Sequence, residues 1–186
     1  IAAVAAGAIV AAAEPAAIEA DRSVLTGVDV LARNGFRDLV GRRVGLITNH
    51  TGRDRGGVPT ARLLADAGGV NLVAFFSPEH GPSGRLDHEN ISDSKDPETG
   101  LPVRSLYGAT RRPTAEMVAD IDTLVFDIQD IGTRFYTYIS TMLEAMKAAS
   151  DHGLRFVVLD RPNPINGVDI AGPLVDAGKE SFVGCH

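Results

Sequence analysis

The 186-residue sequence has no tryptophan, a single cysteine (Cys185), and only 5% aromatic residues. One cysteine excludes an internal disulfide, and equally a CxxC redox or zinc pair. Basic residues are scarce: 18 Lys and Arg stand against 24 Asp and Glu, a net charge of −6, with no dense basic run. A nucleic-acid surface needs clustered Lys and Arg to displace phosphate counterions, so no such partner is expected. No G-x-G-x-x-G follows an apolar run and no G-x-x-x-x-G-K-[ST] occurs. A backbone cradle for phosphate therefore has no support, and no nucleotide cofactor is expected. What the chain does have is 44% hydrophobic and 23% charged residues, which excludes both a disordered chain and an integral membrane bundle. The length suits one ordinary domain with its own core.

Residues 1–13 read IAAVAAGAIVAAA, apolar and uncharged. As a helix they reach about 20 Å, short of the roughly 30 Å hydrocarbon layer. Ala11-Ala12-Ala13 before Glu14-Pro15 resembles the small-residue cleavage site that follows a signal h-region. The expectation is an exported protein, periplasmic or extracellular, with a signal-peptide remnant and linker over 1–20 and a catalytic domain over 21–186. An Ala-rich helix is the alternative.

Four short apolar runs follow: Val44–Ile47, Val70–Phe76, Thr123–Ile128 and Phe156–Leu159. They are too continuous for strands with one wet face, so they read as buried parallel strands. Helical stretches lie between them at Thr60–Ala67, Thr114–Ala119 and Thr137–Ser150, and Val24–Leu39 adds a helix or two ahead of the first strand. In the longest, Ile139, Met142, Leu143, Met146 and Ala149 recur at helical steps, and Met142 and Met146 read as core. Strand–helix repetition predicts an α/β fold, a Rossmann-like parallel sheet with helices on both faces. Pro78–Arg112 breaks the rhythm with four Gly and four Pro, and reads as a functional loop or lid. The stretch after the fourth strand holds no closing helix, which suggests the N-terminal portion of a longer protein.

Ligands of open parallel sheets bind beyond the carboxyl ends of the strands. All four runs here are followed by polar groups: Asn49-His50-Thr51, Ser77-Pro78-Glu79-His80, Asp127-Ile128-Gln129-Asp130, and Asp160-Arg161-Pro162-Asn163. Glu79, on a turn at a buried edge, suits a general acid with a raised pKa, and the Asp127–Asp130 tip offers a second carboxylate. Such a pair is what glycoside cleavage requires. Glu79 pairing with Arg85 or Arg134 is an equal alternative. Arg134 and Arg161 suit bidentate recognition of a carboxylate, or pairing with Asp127 or Asp160. Tyr136 and Tyr138 can stack on a sugar, though one of them fits the core, and His152 reads as a helix C-terminal cap. His50, His80 and His88 with the Asp tips lack an H-x-H or H-E-x-x-H pair, so no metal is expected.

The strings GLITNHTG, FFSPEHG, TGLPVRSLYG, DTLVFDIQDIGTRFYTYIST and VVLDRPNPING stand in this order over residues 24–186. Together they resemble the exo-β-N-acetylmuramidase (NamZ-type) family of exported bacterial glycosidases. The resemblance implies a Rossmann-like catalytic domain, a smaller C-terminal domain, and removal of N-acetylmuramic acid from the non-reducing end of peptidoglycan fragments. It makes Glu79 the catalytic acid with Asp127 and Asp130 beside it. It further implies that Asn49, His80, Gln129, Arg134, Tyr136, Asp160, Arg161 and Asn163 bind substrate, with an Arg on the lactyl carboxylate. Gly81-Pro82-Ser83-Gly84 departs from the family pattern, in which a basic residue often follows the His. A metal-dependent hydrolase on His50, His80 and the Asp tips, and a non-catalytic muropeptide-binding module, are the rival readings.

Overall fold

The computed structural model describes residues 24–78 and 94–184. Its centre is a six-stranded sheet built from β1 (Arg43–Thr48), β2 (Asn71–Ser77), β3 (Ser94–Lys95), β4 (Pro102–Ser105), β5 (Thr123–Asp127) and β6 (Arg155–Val158), in the order β3-β4-β2-β1-β5-β6. All pairs are parallel except β3 with β4. Every residue of β5 and all but the first of β1 are buried, as apolar runs without alternation require when both faces of a sheet are covered.

The helices α1 (Gly27–Arg33), α2 (Thr60–Asp66), α3 (Ala115–Val118) and α4 (Tyr138–Asp151) divide between the two faces. Val28 and Leu31 of α1 and Leu64 of α2 pack with Val44, Leu46, Phe75 and Val125. Val118 of α3 and Tyr138, Ala145 and Ala149 of α4 pack with Ile47, Phe76, Leu124 and Phe126. Odd and even positions of β1 and β5 thus feed opposite cores, while in β2 a register slip after Leu72 sends Leu72 to one core and Ala74 and Phe76 to the other. The layout is the doubly covered α/β sheet expected from the alternation, with an antiparallel edge. Among the described residues no helix is long and apolar enough to cross a membrane.

Two expectations need correction. The segment after Pro78 is not loop throughout, because Ser94–Lys95 and Pro102–Ser105 form β3 and β4. These strands are short and Pro-flanked, and only Val103 and Ser105 of β4 are buried, so no apolar run announced them. The methionine stripe of α4 is not core either. Met146 is exposed and Met142 only partly buried, while Ala145, Ala148 and Ala149 face inward and bring the helix close to the sheet. His152 does stand at the C-cap of α4.

Candidate functional site

From β1 the chain moves to β2 and on to β4 on one side, then crosses to β5 on the other. The sheet therefore reverses direction between β1 and β5, the point at which open α/β sheets leave a crevice. The two strand tips are sewn together there. Thr48 Oγ1 donates to the Asp127 carbonyl at 2.8 Å, and Gln129 N donates to Thr51 Oγ1 at 3.0 Å. Gly52 permits this closeness, since a Cβ would sit 2.1 Å from Thr48 Oγ1.

Asp127 is fully buried and fully engaged. Arg161 Nε donates to Oδ1 at 2.6 Å, Arg161 Nη2 to Oδ2 at 2.9 Å, and Thr60 Oγ1 to Oδ2 at 2.5 Å. The Arg161 side chain is 8% exposed. Its Nη2 also reaches the Arg53 carbonyl at 2.8 Å, so the end of β6, the tip of β5 and the loop after β1 share one buried knot. Of the two roles open to Arg161, pairing with Asp127 is the one it holds.

Asn49 is 5% exposed, and its Oδ1 accepts from Thr51 N at 2.9 Å and Thr51 Oγ1 at 2.6 Å. Acceptance from a backbone N–H fixes which end of the amide is oxygen, leaving Nδ2 as a buried donor without a partner. Asp130 Oδ1 accepts from Gly132 N, while Asp130 Oδ2 and Thr133 Oγ1 are likewise buried and unpartnered. Gln129 Nε2 bridges the Asp130 and Pro162 carbonyls at 2.7 and 2.9 Å. Asp160 Oδ1 accepts from Arg161 N and Asn163 Oδ1 from Ile165 N, which makes both turn-formers. Gly132, with φ of 75°, lies so close to Asn163 that a Cβ there would stand 2.4 Å from its Oδ1.

A cavity of about 630 Å³ opens beside this knot. Thr48, Asn49, His50, Gly52 and Arg53 line it from the β1 end, Phe75, Phe76 and Ser77 from β2, and Asp96 and Glu98 from the turn before β4. Arg134 and Tyr136 stand apart from it. Exposed Arg134 donates to the Pro173 carbonyl, and Tyr136 meets buried Tyr138 edge-on with ring centres 4.8 Å apart. Glu79 and His80 lie outside the described residues, immediately after Pro78 where β2 reaches the cavity. Among the described residues no three His, Cys, Asp or Glu side chains gather as a metal site would. The structure thus brings Asn49, Asp127, Gln129 and Arg161 together at the switch point. It gives a structural role to Thr51 of the first tip and adds Thr60 and Arg53, which strand-end reasoning passed over although Arg53 stands only five residues past β1.

Residues 44–186 match the family model described as exo-β-N-acetylmuramidase NamZ, N-terminal. The chain is 46% identical over 164 residues to the peptidoglycan β-N-acetylmuramidase NamZ of Bacillus subtilis (strain 168), which covers 88% of this chain and 40% of that protein. Two crystal structures of DUF1343 family proteins from Bacteroides fragilis NCTC 9343 superpose with TM-scores of 0.81 and 0.73, at 53% and 35% identity. Each covers 87% of this chain, which spans 40% and 41% of theirs. The sequence therefore spans well under half the length of the relatives it matches.

Proposed function

Since this chain belongs to the NamZ exo-β-N-acetylmuramidase family, we propose that the full-length protein is an exported glycosidase that removes N-acetylmuramic acid from the non-reducing end of peptidoglycan fragments. The observation that carries this reading is the 46% identity to a protein named as a peptidoglycan β-N-acetylmuramidase, over most of the chain. The cavity at the strand ends supports it, because it is roomy enough for a sugar and joins polar groups to apolar walls.

Glu79 is the general acid in this reading. In the sequence it follows Pro78, next to Ser77 of β2 that lines the cavity, and its role is to donate a proton to the leaving glycosidic oxygen. Asp127 does not serve as its partner, because every oxygen it has is engaged by Arg161 and Thr60. Asp130 keeps one carboxylate oxygen without a partner and is the better second carboxylate of the two, although it lines a separate hollow with Ile128 and Tyr138 rather than the cavity beside Asn49. Asn49, with its fixed amide, contributes a donor at the cavity wall.

The test is release of the sugar from a chromogenic β-N-acetylmuramic acid glycoside by the full-length protein, with the N-acetylglucosamine analogue and EDTA as controls. EDTA-resistant release from the muramic substrate alone is the expected result. Absence of release from both glycosides sinks the glycosidase, and release abolished by EDTA transfers the chemistry to a metal.

A further inference from the structure

A muramic sugar differs from its glucosamine counterpart by a lactyl ether that ends in a carboxylate, so an enzyme selective for it needs a cation at its sugar site. Arg161 does not meet that need, because its guanidinium lies in the knot with Asp127. Arg134 lies away from the cavity, on the Pro173 carbonyl. Among the described residues one arginine lines the cavity, and it is Arg53.

Its setting is that of a built recognition point. Nε donates to the His50 carbonyl at 2.9 Å and Nη1 to the Gly57 carbonyl at 2.9 Å, which fixes the plane of the guanidinium. The backbone is held too. Arg53 bridges to Pro59, Gly57 N closes the turn on the Asp54 carbonyl, and Arg161 Nη2 grips the Arg53 carbonyl. Among the described residues Arg53 forms no ion pair, so its charge is not answered by a protein carboxylate. The cavity's own carboxylates, Asp96 and Glu98, precede β4 at the amino end of the parallel strands, whereas Arg53 follows the carboxyl end of β1. Neither of these carboxylates pairs with Arg53, whose guanidinium shares the cavity wall with Asn49 and His50.

We propose that Arg53 reads the carboxylate of the sugar and sets the preference for muramic over glucosamine residues, with Arg161 as the residue that positions it. The inference rests on the muramidase reading above and names the group that makes it selective. Arg53 holds its guanidinium open to the cavity, and a carboxylate oriented toward it completes the fork.

The decisive experiment is calorimetric titration of the full-length protein and its Arg53→Met variant with N-acetylmuramic acid, its lactyl methyl ester, and N-acetylglucosamine. Met keeps the apolar stem, and an exposed position makes folding of the variant checkable by its melting temperature. The wild type is expected to bind the acid about tenfold or more tightly than the ester, and Arg53→Met to bind the two within about twofold. A preference for the acid that persists in folded Arg53→Met overturns the role of Arg53 while leaving the muramidase reading intact. Equal binding of acid and ester by the wild type also overturns it. Failure of the wild type to bind any of the three sugars overturns the muramidase reading and the inference with it.

Discussion

Replacing Asp127 by Asn would leave a buried guanidinium facing a neutral amide, with Thr60 and Arg161 competing for one oxygen. Breaking a buried ion pair from one side costs about 3–5 kcal/mol, and a loss of that size in denaturant unfolding is the expected outcome. Glu79→Gln, by contrast, removes only a transferable proton. Turnover is expected to fall by about 10²–10⁴ with substrate affinity kept, read from kcat and KM on the muramic glycoside. The two carboxylates, which strand-end reasoning grouped together, therefore separate by which property their loss damages. At this scale the sequence was informative about position and less so about role. Asn49, Asp127, Gln129 and Arg161 were legible because each stands at or just past the end of a strand. Thr60 was read only as a helix start, and nothing in a linear sequence says that its hydroxyl meets a carboxylate 67 positions away.

Between elements, two contacts decide how the layers meet. Arg104 of β4 holds Asp120 beyond α3 with a two-pronged pair at 2.9 and 2.8 Å, and it also donates to the Met117 carbonyl. The hydrogen bonds from Arg104 hold the Asp120 carboxyl below the usual carboxylate range. A folded-state pKa below the unfolded one stabilises at pH values above the ordinary range, and that contribution fades as the pH falls toward the folded value. Asp120→Asn is thus expected to lower Tm near neutral pH, with the gap to the wild type closing as the pH falls below the ordinary carboxylate range. The other contact is α1 against the end of β6. Gly27 N donates to the Asp160 carbonyl at 2.7 Å, and a Cβ on Gly27 would stand 2.5 Å from the Asp160 nitrogen. Gly27→Ala must push α1 off the sheet, with an expected loss of about 1–3 kcal/mol in denaturant unfolding. The apolar strands β1, β2 and β5 were legible because burial on both faces writes itself as nearly unbroken Val, Leu, Ile and Phe. Strand β6, expected to be buried as well, is an edge strand of partly buried and exposed residues. Strands β3 and β4 were not legible, because a short edge hairpin draws its stability from the neighbour it pairs with rather than from its own composition.

Over the whole molecule, order and burial fall away from the centre of the sheet toward residues 162–184. There Val168, Ile170 and Leu174 are 87%, 98% and 90% exposed, and backbone pairing is confined to a few turns. Hydrogen exchange is expected to be slowest in β1 and β5 and fastest across this stretch, as mass spectrometry of peptides would show directly. That α/β layering was legible from end to end, whereas the crossing from β4 to β5 was not, because strand order is a property of space rather than of succession. The crossing also sets a schedule for the growing polypeptide on the ribosome. Thr48 waits for Asp127, 79 residues later, before the knot beside the cavity can be tied. At about 5–20 residues per second that interval lasts roughly 4–16 seconds. For its duration β1 carries one zipped edge and one bare one, a vulnerable window in which a neighbouring nascent chain competes for the place reserved for β5.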